Sequence, residues 1–245
     1  MATASQLPTR RDEDFRYADL TALAPLWPVA VEQVRVPAGE TQTLTLVLAG
    51  DEAVVRELAV TVEAGASFDL RVLSANGAYG RVSLRAELAE GASFTLGAAQ
   101  LAAGERVLEI VTEVVHAAPD AVSRQIVRSV AGGRASVNYL GKVLVAKGAN
   151  GTDGEQSVRA MLLDRTATAN ARPELEIHAD DVKCAHGCAV GELDANGLFY
   201  MAARGIPPEV AKRLMLQAFV AEAFAGAEQE EALLEQALGA LEAML

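Results

Sequence analysis

Short apolar runs, separated by glycine, proline or asparagine, follow one another along the chain from residue 33 onward. They are rich in valine, leucine and threonine, and the clearest examples are residues 107–115, 122–130, 137–145 and 157–163. Runs of this length, with β-branched residues inside and turn-forming residues at both ends, are typical of β-strands. The pattern therefore predicts a succession of strands and tight turns that extends to about residue 190.

A repeat is visible at the start of this region. Gly39, Gly65 and Gly91 stand in similar segments and follow one another at intervals of 26 residues, and the last two segments continue with Phe68 and Phe94 at matching places. A fixed period of roughly 20 to 50 residues is typical of a solenoid, in which neighbouring units stack and share one core. Chance similarity is the alternative, because Ala-Gly is a common turn between strands.

The composition changes after Gly191, where strand patterns give way to helical spacing of apolar residues. Asp194 is suited to cap a first short helix, Pro207 and Pro208 to begin a second, and residues 228–245 repeat leucine at helical spacing. We expect three helices that pack on the strands or offer an apolar stripe to a partner. The predicted domains are an N-terminal segment (1–32), a β-helix core (33–191) and a C-terminal helical domain (192–245).

Composition and charge narrow the class of function. Hydrophobic residues make up 51% and aromatic residues 4% of the chain, so the core must be filled by small and branched side chains, which suits stacked sheets. The net charge of -12 argues against nucleic acid as a partner, because few cations are free to replace the counterions of phosphates. The apolar stretch 20–31 contains Pro25 and Pro28 and is shorter than the roughly 20 residues that span a bilayer, so no membrane segment is expected. Without a recognisable secretory signal, we expect a cytoplasmic protein.

Cys184, His186 and Cys188 are the densest set of possible metal ligands. On a strand all three side chains lie on one face, because side chains alternate with a period of two. Thiolate and imidazole suit zinc and iron-sulfur species, so a metal site is chemically plausible. Residues two apart on a regular strand are nevertheless roughly 6.6 Å apart, too far for three ligands to reach one ion. A buried pair of reduced cysteines beside a hydrogen-bonded histidine is the alternative, and these residues alone leave both open.

Other candidate motifs are weaker. Residues 148–154 are glycine-rich but lack the pattern of a phosphate-binding loop, so we expect no nucleotide hydrolysis by this chain. Asp180 and Asp181 could act as acid and base on a sugar, although adjacent aspartates more often form a solvated turn. His116 and His178 have no obvious partner in the sequence.

One continuous motif in the second half of the chain has a known counterpart. Residues 172–187 are Arg-Pro-Glu-Leu-Glu-Ile-His-Ala-Asp-Asp-Val-Lys-Cys-Ala-His-Gly, and Val-Gly, Leu-Phe-Tyr and Arg-Gly-Ile follow at 190–191, 198–200 and 204–206. This series resembles the C-terminal motif of the SufB/SufD family, and of its SufD-like members in particular. The resemblance implies a mainly β fold, a right-handed parallel β-helix (solenoid) with a small C-terminal helical domain. It also implies a scaffold for iron-sulfur cluster assembly in the SUF system, and not an enzyme.

The resemblance implies partners as well. A SufB-like subunit, or a second copy of this chain as a homodimer, would pair with the β-helix, and the SufC ATPase would bind the C-terminal helices. The residues placed in the ATPase contact are Leu198, Phe199, Tyr200, Arg204, Ile206, Leu214 and Phe219. Longer relatives carry an N-terminal helical domain that we expect this chain to lack.

A role in handling iron is the last implication of the resemblance. His186 matches the family histidine near the interface between the two β-helices, and Cys184 matches the cysteine two residues before it. Cys188 departs from the family pattern, which has alanine or a serine-like residue there, so we expect it to matter less. The implied cargo is iron or a nascent iron-sulfur cluster, held transiently and shared with a partner, and a flavin is a further candidate.

An exported β-solenoid enzyme that acts on polysaccharide is the alternative function. Only the solenoid pattern and a few acidic residues support it. Such an enzyme would usually carry aromatic side chains that stack on sugars, and an aromatic content of 4% provides few of them. The scaffold interpretation predicts instead a helical tail that binds a partner.

Overall fold

Two parallel β-sheets enclose the main core of the protein. The computed structural model describes residues 6–75 and 77–245, and within them twelve strands alternate between two six-stranded sheets. Sheet I consists of β1 (Val31–Val36), β3 (Val54–Val62), β5 (Tyr79–Leu88), β7 (Val107–His116), β9 (Ser136–Val145) and β11 (Thr168–Ile177). Sheet II consists of β2 (Thr41–Leu48), β4 (Ser67–Ala75), β6 (Ser93–Ala102), β8 (Val122–Ala131), β10 (Asp153–Leu162) and β12 (Lys183–Gly191). Strands two positions apart in the chain pair with each other, which confirms the β-solenoid. The first strand begins at Val31, two residues before the predicted start of the solenoid.

The turns between strands explain both the 26-residue repeat and its end. Gly65 and Gly91 each have a φ of 64°, in the left-handed region that glycine adopts without strain. Ser67 pairs with Ser93, which lies 26 residues further along the chain. Ser93 pairs with Val122, 29 residues further along. The strict period is lost there because the connections lengthen, while the strands continue to stack.

The space between the sheets changes in character along the β-helix. In-register residues of successive turns form columns of side chains, and one inward-facing column of sheet II contains Leu70, Leu96, Gln125, Gln156 and His186. The first two belong to the apolar core, and the two glutamines are buried polar residues. The interior therefore becomes more polar toward the end of the β-helix that carries the candidate metal ligands.

Short helices precede and follow the β-helix. Two 3₁₀ turns (Glu13–Phe15 and Ala24–Leu26) flank α1 (Leu20–Leu23), and the C-terminal domain contains α2 (Ala195–Ala203), α3 (Pro208–Ala221) and α4 (Glu230–Glu242). Asp194 Oδ1 accepts from the backbone N–H of Asn196 at 3.0 Å, so the predicted cap of α2 is confirmed. Among the helices of the described residues, none is long and apolar enough to cross a membrane.

Helices α3 and α4 pack on the outer face of sheet II. Arg71 Nη1 donates to the backbone oxygen of Ala223 at 3.0 Å, and Arg128 Nη2 donates to Glu222 Oε2 at 2.7 Å. A Cβ atom on Gly97 would lie 2.0 Å from the same Ala223 oxygen, so only glycine permits this approach. The apolar side chains buried in this contact include Leu73, Leu101 and Val130 of the sheet and Leu216, Phe219, Val220, Phe224, Leu233 and Leu241 of the tail. The apolar faces of α3 and α4 are therefore part of the intramolecular core.

The N-terminal segment lies across the outer face of sheet I. The Cζ atom of Arg81 is 4.2 Å from the ring centroid of Phe15, and Arg81 Nη2 donates to the backbone oxygen of Asp14 at 2.9 Å. Glu13 forms an ion pair of 2.6 Å with Arg172 on β11. The start of the described chain is thus attached to the last turn of the β-helix.

His116 is fully buried between the sheets, with its Nε2 atom 2.9 Å from Ser123 Oγ. Burial lowers the pKa of His116 to about 4, from an ordinary value of 6.5. The unfolded chain therefore binds a proton at this residue between pH 6.5 and 4, whereas the folded protein does not. The contribution of the neutral imidazole to the stability of the folded protein is complete above this pH range and is lost as the pH falls through it.

We expect this residue to give the protein a measurable acid sensitivity. Lowering the pH from 6.5 to 4 should reduce the free energy of unfolding by about 3 kcal/mol through His116 alone, since each pKa unit corresponds to about 1.4 kcal/mol. Urea unfolding across this pH range measures the loss of free energy of unfolding. His116→Gln should remove the part of this loss that comes from His116. His178→Gln, at an exposed histidine, is the control. If the free energy of unfolding falls equally steeply with decreasing pH in wild type and in His116→Gln, His116 is not the source of the acid sensitivity.

Candidate functional site

The last turn of the β-helix has open edges. β11 pairs with β9 and β12 pairs with β10, and neither has a second neighbour among the strands of the described residues. Ile177 and Val190, near the ends of these two strands, are 41% and 46% exposed. Backbone N–H and C=O groups along such edges can pair with a strand of another chain.

Cys184, His186 and Cys188 lie on the face of β12 that continues the interior of the β-helix. The register places Cys184 beside Gly154 and His186 beside Gln156. A Cβ atom on Gly154 would lie 3.5 Å from Cys184 Sγ, so this thiol faces the core. Cys184 is partly buried, whereas His186 and Cys188 are exposed. The three side chains therefore share one face at the open end.

These three residues do not form a complete metal site within the chain. No group of three or more His, Cys, Asp or Glu residues in the described part of the chain is placed to hold a metal ion. β12 is one uninterrupted strand from Lys183 to Gly191, so its alternate side chains are separated by roughly 6.6 Å. Cys188 Sγ instead lies 3.9 Å from the backbone oxygen of Ala171. An ion at this end could take one or two ligands from this chain and would need others from elsewhere.

The environment of Cys184 favours the protonated thiol. Partial burial raises the pKa of Cys184; a hydrogen bond involving the backbone of Gly154 opposes this, and the charge of Asp153 adds a smaller rise. A thiol with a raised pKa is a weak nucleophile until a metal ion or another cation displaces its proton. Cys184 is therefore suited to binding a metal as it loses its proton, and less suited to reacting spontaneously.

A buried polar network lies directly below His186. Gln156 Nε2 donates to Tyr139 Oη at 2.9 Å, and Tyr139 Oη donates to Gln125 Oε1 at 3.2 Å. Thr112 Oγ1 also donates to Gln125 Oε1, at 2.9 Å. Burial raises the pKa of Tyr139 to about 12, so its hydroxyl keeps its proton. This network was not predicted from the sequence, although glutamines at inward positions of two strands were a signal that could have indicated it.

The residues expected to contact the ATPase divide into exposed and buried sets. Phe199 is 77% exposed, Tyr200 59% and Leu214 43%. The Cζ atom of Arg204 lies 4.9 Å from the ring centroid of Tyr200, which holds these two exposed side chains together. α2 packs against α3, and Leu198 and Ile206 are partly buried. We name the surface formed by Phe199, Tyr200, Arg204 and Leu214 the tail patch.

Phe219 is placed differently from the other residues of this set. It is 8% exposed and belongs to the apolar cluster between α3 and sheet II. Arg128 Cζ lies 5.9 Å from its ring centroid. The structure therefore makes Phe219 a residue that attaches α3 to the β-helix, and its ring is not accessible to a partner.

The comparison with protein families shows to which family the chain belongs. The family described as "SUF system FeS cluster assembly, SufBD core domain" matches residues 34–219, which include nearly the whole β-helix and most of α3. The chain belongs to the SufBD family. Membership connects the protein to iron-sulfur cluster assembly and agrees with the β-helix found in the structure.

Several curated members of the SufBD family are similar to this chain. The chloroplastic protein ABCI7 of Arabidopsis thaliana is 33% identical over 165 residues, covering 66% of this chain and 35% of that protein. The iron-sulfur cluster assembly protein SufD of Escherichia coli is 36% identical over 116 residues, 47% of this chain and 27% of SufD. SufD of Bacillus subtilis is 32% identical over 118 residues, 48% of this chain and 27% of SufD. The chain thus matches about a third or less of the length of these relatives.

The weaker candidates are either exposed or hydrogen-bonded to partners of their own. Asp180 and Asp181 are exposed in the turn before β12, as expected of a solvated turn. His178 Nε2 lies 2.9 Å from Glu176 Oε1, and His116 binds Ser123, so both have partners that the sequence did not reveal. SufBD family membership does not favour the polysaccharide-acting alternative.

Proposed function

We propose that this chain is a scaffold subunit, and not an enzyme, of a SUF iron-sulfur cluster assembly complex. The observation that carries the proposal is the juxtaposition, at one uncovered end of the β-helix, of free strand edges with two thiols and an imidazole. The strand edges can bind a protein, and the thiols and the imidazole can bind iron. We expect such a complex to act in the cytoplasm.

The open edges support pairing through the last turn. Two copies related by a two-fold axis would place their edge strands antiparallel, which would extend each sheet across the interface. Exposed Ile177 and Val190 would be buried by the partner. A SufB-like subunit is the proposed partner, and a second copy of this chain meets the same geometric requirement.

The incomplete ligand set supports a shared site. His186 and Cys184 lie on the inward face, and the described residues do not place beside them the further ligands that iron requires. A partner placed against β11 and β12 would bring its own side chains to the same end. Iron or a nascent cluster would then be held as cargo between two chains, with Cys188 as a weaker contributor.

The flavin that the resemblance suggested can be compared with the space beside sheet I. A cavity of about 540 Å³ lies between the N-terminal segment and the outer face of sheet I. Its lining combines charged side chains such as Arg85, Glu113 and Lys142 with aliphatic ones such as Val111 and Leu140. No aromatic ring belongs to this lining, so none could stack on a planar isoalloxazine. We therefore derive no step through a flavin.

The tail patch supports binding of the SufC-like ATPase. Large exposed aromatic side chains beside an arginine are the residue types that contribute most to protein interfaces. The patch lies on α2, its C-terminal end and α3; α2 buries none of its residues, whereas α3 buries four. We propose that Phe199, Tyr200, Arg204 and Leu214 contact the ATPase, with Leu198 and Ile206 supporting them.

Replacement of His186 tests the site. His186→Ala should fold with less than about 0.5 kcal/mol change in stability, because the side chain is exposed. It should also assemble with its partners but retain at least about tenfold less iron and sulfide than wild type, because a ligand is lost. Iron and acid-labile sulfide are measured on the purified complex after reconstitution. His178→Ala, at another exposed histidine, should keep wild-type content, and full content in an assembled His186→Ala complex would refute the proposal.

A further inference from the structure

Gln156 is fully buried and has one amide atom without a partner. Its Nε2 atom donates to Tyr139 Oη at 2.9 Å, whereas its Oε1 atom accepts no hydrogen bond from the described residues. An acceptor that is buried without a hydrogen bond destabilises the folded state. Several buried polar atoms of the described residues share this property, and Gln156 Oε1 is the one on the turn next to His186, where a donor could reach it.

The network below Gln156 determines which of the two polar atoms of its amide group has no hydrogen-bond partner. Gln125 Oε1 accepts from both Thr112 Oγ1 and Tyr139 Oη. Because the hydroxyl proton of Tyr139 points to Gln125, the Tyr139 oxygen is an acceptor for Gln156. Gln156 must then turn its NH₂ group toward Tyr139, and its Oε1 atom remains free to accept.

His186 is the neighbour of Gln156 on the next turn. β10 and β12 pair in parallel, with Gln156 in register with His186, and adjacent strands lie about 4.8 Å apart. Both side chains are on the inward face, and the imidazole is exposed, so its rotamer can change at little cost. We infer that Gln156 Oε1 accepts a hydrogen bond from one ring N–H of His186 and acts as a positioning residue for it.

The chemical consequence is a fixed tautomer, and it rests on the proposed role of His186 as a ligand. A neutral imidazole carries a proton on one nitrogen and a lone pair on the other. With the N–H directed at Gln156, the lone pair of the other nitrogen is directed away from the interior, toward the open end where iron would arrive. Groups that orient a ligating histidine in this way typically change metal affinity by about 10- to 100-fold.

The tautomer of His186 can be measured without iron. The chain contains three histidines, His116, His178 and His186, so long-range ¹H–¹⁵N spectra of the labelled full chain can be assigned with single His→Gln variants. At a pH where the ring is neutral, wild-type His186 should show one protonated and one unprotonated nitrogen. Gln156→Leu should give averaged shifts for both nitrogens, because neither tautomer is then preferred.

Two further variants make the result specific to Gln156. Gln100→Leu removes another buried amide of sheet II, whose hydrogen bonds go to Asn138 and Ser129, and it should leave the tautomer of His186 unchanged. Gln156→Glu keeps an acceptor oxygen beside His186 and should preserve the single tautomer. The signals of His116 and His178 report whether each variant is folded. An averaged His186 in wild type, or a single tautomer that persists in folded Gln156→Leu, would overturn the inference.

Binding of ferrous iron separates this inference from the proposed function. Gln156→Leu should bind ferrous iron about tenfold more weakly than wild type, and Gln100→Leu should bind it normally. If His186→Ala binds ferrous iron as wild type does while the tautomer still depends on Gln156, the ligand role of His186 fails and the positioning contact stands. If His186 is needed for iron but its tautomer does not depend on Gln156, the positioning contact fails alone.

Discussion

Phe199→Glu is expected to weaken binding of a SufC-like ATPase by at least about 30-fold, the effect of losing an interface residue worth about 2 kcal/mol. The ring is 77% exposed, so the substitution should change the stability of the chain by less than about 0.5 kcal/mol. Leu214→Glu, on the same patch, should act in the same direction. Binding is measured by titrating the purified ATPase onto each full-length variant.

The control for this experiment is a second leucine of the tail. Leu245 and Leu214 are each 43% exposed, but Leu245 lies beyond α4 and outside the tail patch. Leu245→Glu should therefore bind the ATPase as wild type does. Removing residues 192–245 would be a poorer test, because α3 and α4 cover the outer face of sheet II and their loss would expose its apolar side chains. Wild-type affinity in Phe199→Glu would place the ATPase contact elsewhere.

Features encoded over a few residues could be predicted from the sequence. Gly65 and Gly91 indicated tight turns, and both have the positive φ that such turns need. Asp194 indicated the start of α2 and caps it as expected. These predictions succeed because a turn or a cap depends on its own residues and not on distant ones.

Features that depend on distant contacts could not be predicted in this way. Phe199 and Phe219 are both apolar residues at helical spacing, yet one is exposed and the other packs on sheet II. Periodicity identifies an apolar stripe but not the surface that it meets. Likewise, the contact of Gln156 with Tyr139 joins strands of opposite sheets. The open end exists because β12 is the last strand of its sheet. The alternation of side chains within one strand shows neither feature.

The second large effect is expected at the open end. A double variant, Ile177→Lys and Val190→Lys, should prevent pairing of the β-helix with a SufB-like subunit or with a second copy of the chain. Charged side chains on an edge strand oppose the addition of another strand, because pairing would bury their charges without partners. We expect native mass measurements to show the variant as a single chain under conditions in which wild type forms the pair.

The opposite end of the β-helix supplies a matched control for this pairing. Val31 and Val47 are 46% and 40% exposed, close to the 46% and 41% of Val190 and Ile177, and they lie on the first strand of each sheet. Val31→Lys with Val47→Lys adds the same charge at equally exposed apolar positions, so it should leave pairing intact. Because the proposed iron site is shared between the two chains, the variant at the open end should also lose reconstituted iron although His186 and Cys184 are unchanged. Pairing that survives the open-end variant but is lost in the control would move the interface, and with it the site, to the other end of the β-helix.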